Sequence, residues 1–388
     1  MNLSVLQFIL LAGALQGVLL TLLLLTRRTN ILANRLLGAL VFLISLQSVL
    51  VAFDERAFFI QFPHLSKIGW LLPTLFGPLV YLFTQKLTSE KPQLYWRDAL
   101  HLLPFMLFLA FLMPYYLQSS SEKIAYLNDF EKARQDDFGW LNQVLNLLHV
   151  FYLALSFRTL QQYQRNILNQ FSETERIRLE WLRQFLLFLL IILALSVPIF
   201  YAKKWQIPYL SDLYGYHYLL VIAYIYWIGY KALSQTAIFD LSKASVAALL
   251  ESEAPNLQLT AAKYQKSQVS EDLLDAYELQ VLAYMEQAKP YLQNDLTIQE
   301  LAALTNIPRH HLSQVINSRL DKNFYDFVNG YRVKAAQEML HDPRYSHWTN
   351  LAIAEAAGFN SKATFNAVFK KMTGQTPSEF VKSQSEVG

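Results

Sequence analysis

The chain contains no cysteine, which removes disulfides, thiolate metal sites and cysteine nucleophiles. Charge is scarce as well. Only 16% of the 388 residues are Asp, Glu, Lys or Arg, against about 25% in an ordinary globular domain. The formal net charge of +3 is too small to name a partner. Signatures of catalysis are missing too: there is no HExxH, no glycine-rich phosphate loop and no nucleophile elbow. The chain therefore reads as a non-enzyme, with no cofactor implied. The opening stretch MNLSVLQFILLAGALQGVLLTLLLLTRR lacks the early positive charges and small-residue cleavage site of a signal peptide, so it is expected as a retained span.

What the chain has in excess is hydrocarbon. Hydrophobic residues make up 53% of it and the mean hydropathy is +0.20. The excess is uneven: long apolar runs repeat up to Leu233, and beyond it the chain becomes amphipathic and well charged. Two physical regimes imply at least two domains. A helix needs about 20 mainly apolar residues to cross a bilayer. Seven segments are expected to do so: Leu3–Leu25, Leu36–Phe53, Ile68–Thr84, Leu100–Leu117, Leu141–Phe157, Phe185–Ala202 and Leu213–Tyr230. Pro73, Pro78, Pro104, Pro114 and Pro198 fall within them, which neighbouring helices in a bundle tolerate.

Loop charge sets the expected orientation. One set of alternate loops holds eleven Lys and Arg, the other seven. The richer set belongs inside, which places the N-terminus outside and, with an odd number of spans, the C-terminus in the cytoplasm. Within the spans, Asn142, Asn146 and His149 share one helical face, and Tyr214, His217, Tyr218 and Tyr224 form another stripe. They suit either a small-molecule pocket, with Asn142, Asn146, His149, His217 and Tyr224 as its polar members, or plain interhelical hydrogen bonding.

The segment 234–275 is polar and reads as a linker, broken at Pro255 and Asn256. Ser270, Glu271 and Asp272 suit a helix start. The helix they open places Leu274, Tyr277, Val281, Tyr284, Met285 and Ala288 on one apolar face, either a seam between two copies of the chain or a cap on the next domain.

Two helix-turn-helix patterns follow. In LTIQELAALTNIPRHHLSQVIN, Thr297 can cap a helix with Leu301, Ala302 and Leu304 inward. Asn306 can enter the left-handed region that a tight turn requires, and Ile307 anchors the turn. Pro308 opens a second helix burying Leu312, Val315 and Ile316, with His310, Ser313, Gln314 and Asn317 as a polar stripe. The layout recurs: Ile353 and Ala354, then Gly358 and Phe359 at the turn, then Phe365 and Phe369. Ser361 can cap this last helix, which turns Phe365, Val368, Phe369 and Met372 inward and Lys362, Asn366 and Lys370 outward. Between the units, Phe324–Leu340 reads as a connecting helix. His310 and His311 make a poor metal pair, because helix neighbours point about 100° apart.

From about Ala276 to Ser383 the chain resembles the DNA-binding domain of AraC/XylS-family transcription regulators. The resemblance rests on both turns, the connecting helix, the Gly358-Phe359 turn, the run Phe365 to Lys370 and the tail Gly374-Gln375-Thr376-Pro377-Ser378-Glu379-Phe380. The whole arrangement is similar to membrane-embedded bacterial regulators of that type. The resemblance implies an all-α protein: a bundle of about seven spans over 1–233, a linker over 234–275 and a two-headed DNA-binding domain over 276–386. It also implies two recognition helices in successive major-groove segments.

Base-reading positions would then be His310, His311, Ser313 and Gln314 in the first head, and Lys362, Ala363, Asn366 and Ala367 in the second. Gln314, Asn366 and Lys362 have the chemistry best suited to base edges; Arg309, Asn317, Lys370 and Lys371 suit phosphates. Many members of the family carry arginine where Ala367 stands, so the second head is expected to read a different base or to specify less. From Ala276 to Gly388, eleven basic residues balance eleven acidic ones. Net attraction to DNA is therefore absent, and a monomer is expected to bind modestly, helped by pairing or membrane confinement. Expected partners are duplex DNA and the lipid bilayer of a bacterial inner membrane, with a small-molecule signal, a second copy of the chain and RNA polymerase as further candidates.

Overall fold

The computed structural model describes residues 3–129, 132, 139–175, 177–214, 216–234 and 271–385. Most of the linker expected at 234–275, with Ser270 and Pro255, lies outside them. Among the described residues the protein is all-α, with one isolated antiparallel bridge between Phe171 and Thr297 and no strand. The chain divides into two compact units, Met1–Gln161 with Leu179–Ala244, and Gln162–Arg178 with Ser245–Gly388.

The first unit contains α1 (Val5–Thr26), α2 (Ile31–Ala52), α3 (Phe76–Leu87), α4 (Leu103–Tyr116), the greater part of α5 (Trp140–Leu168), α6 (Glu180–Trp205) and α7 (His217–Ser234). Among the described residues, six stretches, each beginning in this unit, are long and apolar enough to cross a membrane. The third, Pro63–Leu87, is a chain of short turns, with Lys67 in the left-handed region, that runs into α3. The seventh expected span forms the 18-residue α7, which is not among the six. Its His217, Lys231 and several tyrosines dilute its apolar character.

Helix α1 starts at a capping box in which Ser4 accepts from the Gln7 backbone and Gln7 accepts from the Ser4 backbone. It lies close against α2 because Gly17 faces Ser45: a methyl group at Gly17 would collide with that hydroxyl. Leu10, Leu24, Leu37, Leu40 and Val41 fill the contact, whereas Phe8, Leu15, Leu19, Phe188 and Ile191 remain exposed on the outside of the unit. Two lysines counted in the loop-charge bias are internal. Lys86 pairs with Asp98 at 2.7 Å, and Lys123 bonds the Tyr116 carbonyl at 2.9 Å. One belongs to each loop set, so the bias survives.

The second unit contains α8 (Glu271–Ala288), α9 (Ile298–Thr305), α10 (Arg309–Gln314), α11 (Phe324–His341), α12 (Asn350–Ala356), α13 (Lys362–Thr373) and α14 (Pro377–Ser385). Its described residues form two hydrophobic cores. One gathers Leu274, Val281 and Met285 of α8 with Leu301, Ile307, Leu312, Val315 and Ile316; the other gathers Ile353, Ala354, Phe359, Phe365, Val368 and Phe369. Helix α11 belongs to both, giving Phe324, Phe327 and Val328 to the first and Val333 and Ala336 to the second. The apolar face of α8 thus covers the first helix pair, although Ala288 at its end is exposed.

Candidate nucleic-acid interface

The first helix pair is built as its residues dictate. Thr297 caps α9 in a capping box with Glu300, and Asn306 enters the left-handed region at φ 52°. Leu304 corrects an expectation: it is exposed, and Thr305 takes the inward place, its hydroxyl bonded to the Leu301 carbonyl at 2.7 Å. On a helix this short the buried stripe runs Ile298, Leu301, Ala302, Thr305, which turns position 304 to the flank. Helix α10 continues into a π turn over Val315–Arg319. Arg309, His310 and Gln314 are exposed and Ser313 is half-buried. Asn317 is exposed and already donates to the Ser313 carbonyl at 2.8 Å. His311 faces inward. It is buried, with its ring 5.7 Å from Tyr277 of α8. Burial, and then the neighbouring His310, push its pKa below the usual histidine value. Packing against Tyr277 therefore takes it away from the base-reading place that the family resemblance implied for it.

The second pair turns on Gly358, at φ 90°. Ser361 caps α13 by accepting from the Thr364 backbone at 3.1 Å. Phe365, Val368 and Phe369 are buried, and Lys362, Ala363, Ala367 and Lys370 lie exposed along the outer face. Asn366 is half-buried, with Oδ1 turned inward and unpartnered. Lys371 is exposed but holds Asp326 at 2.7 Å, so a phosphate would have to compete for it.

Residues 301–383 match the helix-turn-helix domain family. The C-terminal domain is a helix-turn-helix domain of the AraC type. Its sequence is 33% identical over 101 residues to an uncharacterized HTH-type transcriptional regulator of Staphylococcus aureus strain COL, and equally so to counterparts from two further strains of that species. The match covers 26% of this chain and 13% of each relative. No solved structure matches.

A residue outside the candidate set drawn from the sequence ties this helix-turn-helix domain together. Arg332 of α11 is almost completely buried. Its guanidinium donates to the carbonyls of Tyr291 at 2.8 Å, Gln293 at 2.7 Å and Asn294 at 2.9 Å. It also reaches Asn329 Oδ1 at 3.1 Å, and the Ser172 carbonyl and hydroxyl at 3.2 and 3.1 Å. Burial pushes its pKa down to about 10, so it stays a cation at neutral pH, held by carbonyl dipoles and the Phe359 ring rather than by an ion pair. The signal was present in the sequence: Asn329, Arg332 and Ala336 share the inward stripe of an amphipathic helix.

In the first unit, Asn142, Asn146, His149, His217 and Tyr224 all line one cavity of about 880 Å³. Two of them are engaged elsewhere, since His149 Nε2 bonds with the Pro73 carbonyl and Tyr224 donates to the Phe185 carbonyl, each at 2.9 Å. Other cavity residues are Gln47, Asp54, Lys203 and Tyr214; Gln47 Oε1 is buried without a partner. Asp54 sits just past the end of α2, where burial raises its carboxyl above the usual range.

Proposed function

We propose that the protein is a membrane-bound, sequence-specific DNA-binding transcription regulator that couples a signal received by its apolar unit to transcription. The observation that carries the DNA reading is the pairing of two capped helix-turn-helix cores on one shared helix, α11, each with an exposed polar outer face. Gln314 and Lys362 read base edges, and so does Asn366 once its amide turns outward, with His310 and Ser313 beside them in the first head and Ala363 and Ala367 in the second. Arg309, Asn317 and Lys370 hold phosphates, joined by Lys371 once it releases Asp326. His311 is left out of the reading set and supports α10 from within. Mapping the protein on its own genome tests this. Gln314→Ala or Asn366→Ala should weaken binding at the strongest sites about ten-fold, the loss of one good base contact. Unchanged occupancy with both substitutions would remove the assignment.

Support for the membrane reading lies in six apolar helices whose large side chains face outward. Support for sensing lies in the cavity. Its residues come from the end of α2, the start of the third stretch and of α5, the end of α6 and the start of α7. With the N-terminus outside, that half of the bundle faces away from the cytoplasm, where an external signal arrives. Its polar groups at the helix ends and its Leu, Ile and Val deeper in suit an amphiphile. The competing reading is a passive anchor. Removing Met1–Leu233 separates them: lost response to signal supports sensing, and unchanged regulation supports anchoring.

A further inference from the structure

The second unit includes a segment that the sequence places between two apolar helices, Gln162–Arg178. We propose that this segment is a built-in cover for the second reading head, with Glu175 occupying the entrance of recognition helix α13 until DNA displaces it. The inference rests on the DNA-binding reading above and adds a regulatory surface to it.

The segment is anchored. Ile298 donates its backbone N–H to the Gln170 carbonyl at 3.0 Å, and Ser172 donates to the Leu296 carbonyl from backbone and hydroxyl at 3.2 and 2.7 Å. The Ser172 carbonyl accepts from Asn329 Nδ2 and from Arg332, both at 3.2 Å. Ser172, Asn329 and Arg332 are all buried, so these bonds escape competition from water. The anchor fixes where the chain goes three residues later. There one carboxylate oxygen of Glu175 accepts from the Ser361 hydroxyl and the Thr364 hydroxyl, each at 2.7 Å.

The chemistry of that contact is what makes it a cover. A recognition helix enters the groove by its N-terminal turn, and the donors and positive dipole end of that turn favour a phosphate. Glu175 presents to the same turn an anion with acceptor oxygens, and a phosphate arriving there meets a like charge and hydroxyls already in use. The two halves of the segment differ in kind: the buried half around Ser172 is durable, whereas the Glu175 contact is exposed and exchangeable. A displaceable tip on a fixed anchor lowers affinity without abolishing it.

The test uses the full chain in lipid nanodiscs, with the DNA fragment most enriched in the genomic mapping as probe. Glu175→Ala should tighten its Kd about three- to five-fold at fixed salt, the upper part of the scale of an exposed charged contact. Hydrogen exchange along α11 should be unchanged, because the Ser172 anchor is intact. Since the chain has no cysteine, Glu175→Cys with Thr364→Cys can be bridged by a short cleavable bis-thiosulfonate. Bridging should weaken binding at least ~10-fold, and cleavage should restore it. A Kd within two-fold of the parent for Glu175→Ala, a weakened Kd, or a bridged chain that binds as tightly as the cleaved one would each overturn the cover. Failure of every form to bind duplex at low salt would instead remove the DNA reading, and the cover with it.

Discussion

Single residues set both turns, and they do so differently. Asn306 holds its left-handed conformation at an exposed position, a service its short polar side chain renders at little cost. Gly358 has no such latitude, because a β-carbon there would stand 2.5 Å from the Tyr291 carbonyl and 3.1 Å from Arg332 Nε. Gly358→Ala therefore combines left-handed strain of about 1–2 kcal/mol with displacement of the buried arginine. Hydrogen exchange of α11 and α13 in the full chain should show at least ~2 kcal/mol lost; protection equal to the parent would refute this. His311 gives a prediction in pH. Burial and His310 hold its folded pKa below the unfolded value, near 6.5. As pH falls through about 6.5 the unfolded chain takes up the proton first, so stability is lost from there downward and is fully present above. Exchange of α9 and α10 followed from pH 7.5 to 5 should show that loss, and His311→Phe should flatten it. An unchanged slope would mean that His311 is not the responsible group.

At the scale of elements, the sequence was legible wherever one helix satisfied its own periodicity. Thr297, Asn306, Ile307, Ser361 and Phe359 announce the caps and turns that the structure contains, because capping and left-handed turns are decided within a few residues. Leu304 and His311 were misread for the complementary reason. Each sits on the border between the inner and outer faces of a short helix, and the neighbour that decides the matter, Tyr277 of α8 for His311, is distant in sequence. The docking of Ser172 was nearly illegible. It joins positions more than 120 residues apart through backbone carbonyls, and a carbonyl leaves no mark on amino-acid choice. Arg332 was the one visible trace: a cation on an inward stripe requires acceptors, and the acceptors turned out to be loops rather than acids. The cavity lay between these cases. Helical spacing grouped Asn142, Asn146 and His149 on one stripe and His217 with Tyr224 on another, and all five line the one cavity. Yet His149 and Tyr224 also make the interhelical bonds of the plainer reading, so the two readings coexist.

For the whole molecule, the cover supplies a route by which a signal could act. The segment 162–178 is continuous with α5 and α6, and residues within 142–153 and 189–203 of those helices contribute to the cavity wall. A ligand that shifted either helix would act on the end of the Glu175 segment that the helix joins, without needing the linker at 234–275. The route holds only if the second unit lies in the cytoplasm. Loop charge favours that arrangement, and so does parity, provided that α7 crosses as the seventh span despite its histidine, lysine and tyrosines. A reporter that is active only in the cytoplasm, fused after Gly388, should be active, and its counterpart active only outside should be silent. The same pair of reporters fused after Trp205, the end of the sixth apolar helix, should give the opposite result. If the fusions after Trp205 and Gly388 reported the same side, α7 would not cross, and α6 and the helix-turn-helix domain could not both keep their assigned places. An outside signal after Gly388 would be more damaging still, since two reading heads beyond the membrane have no duplex to read.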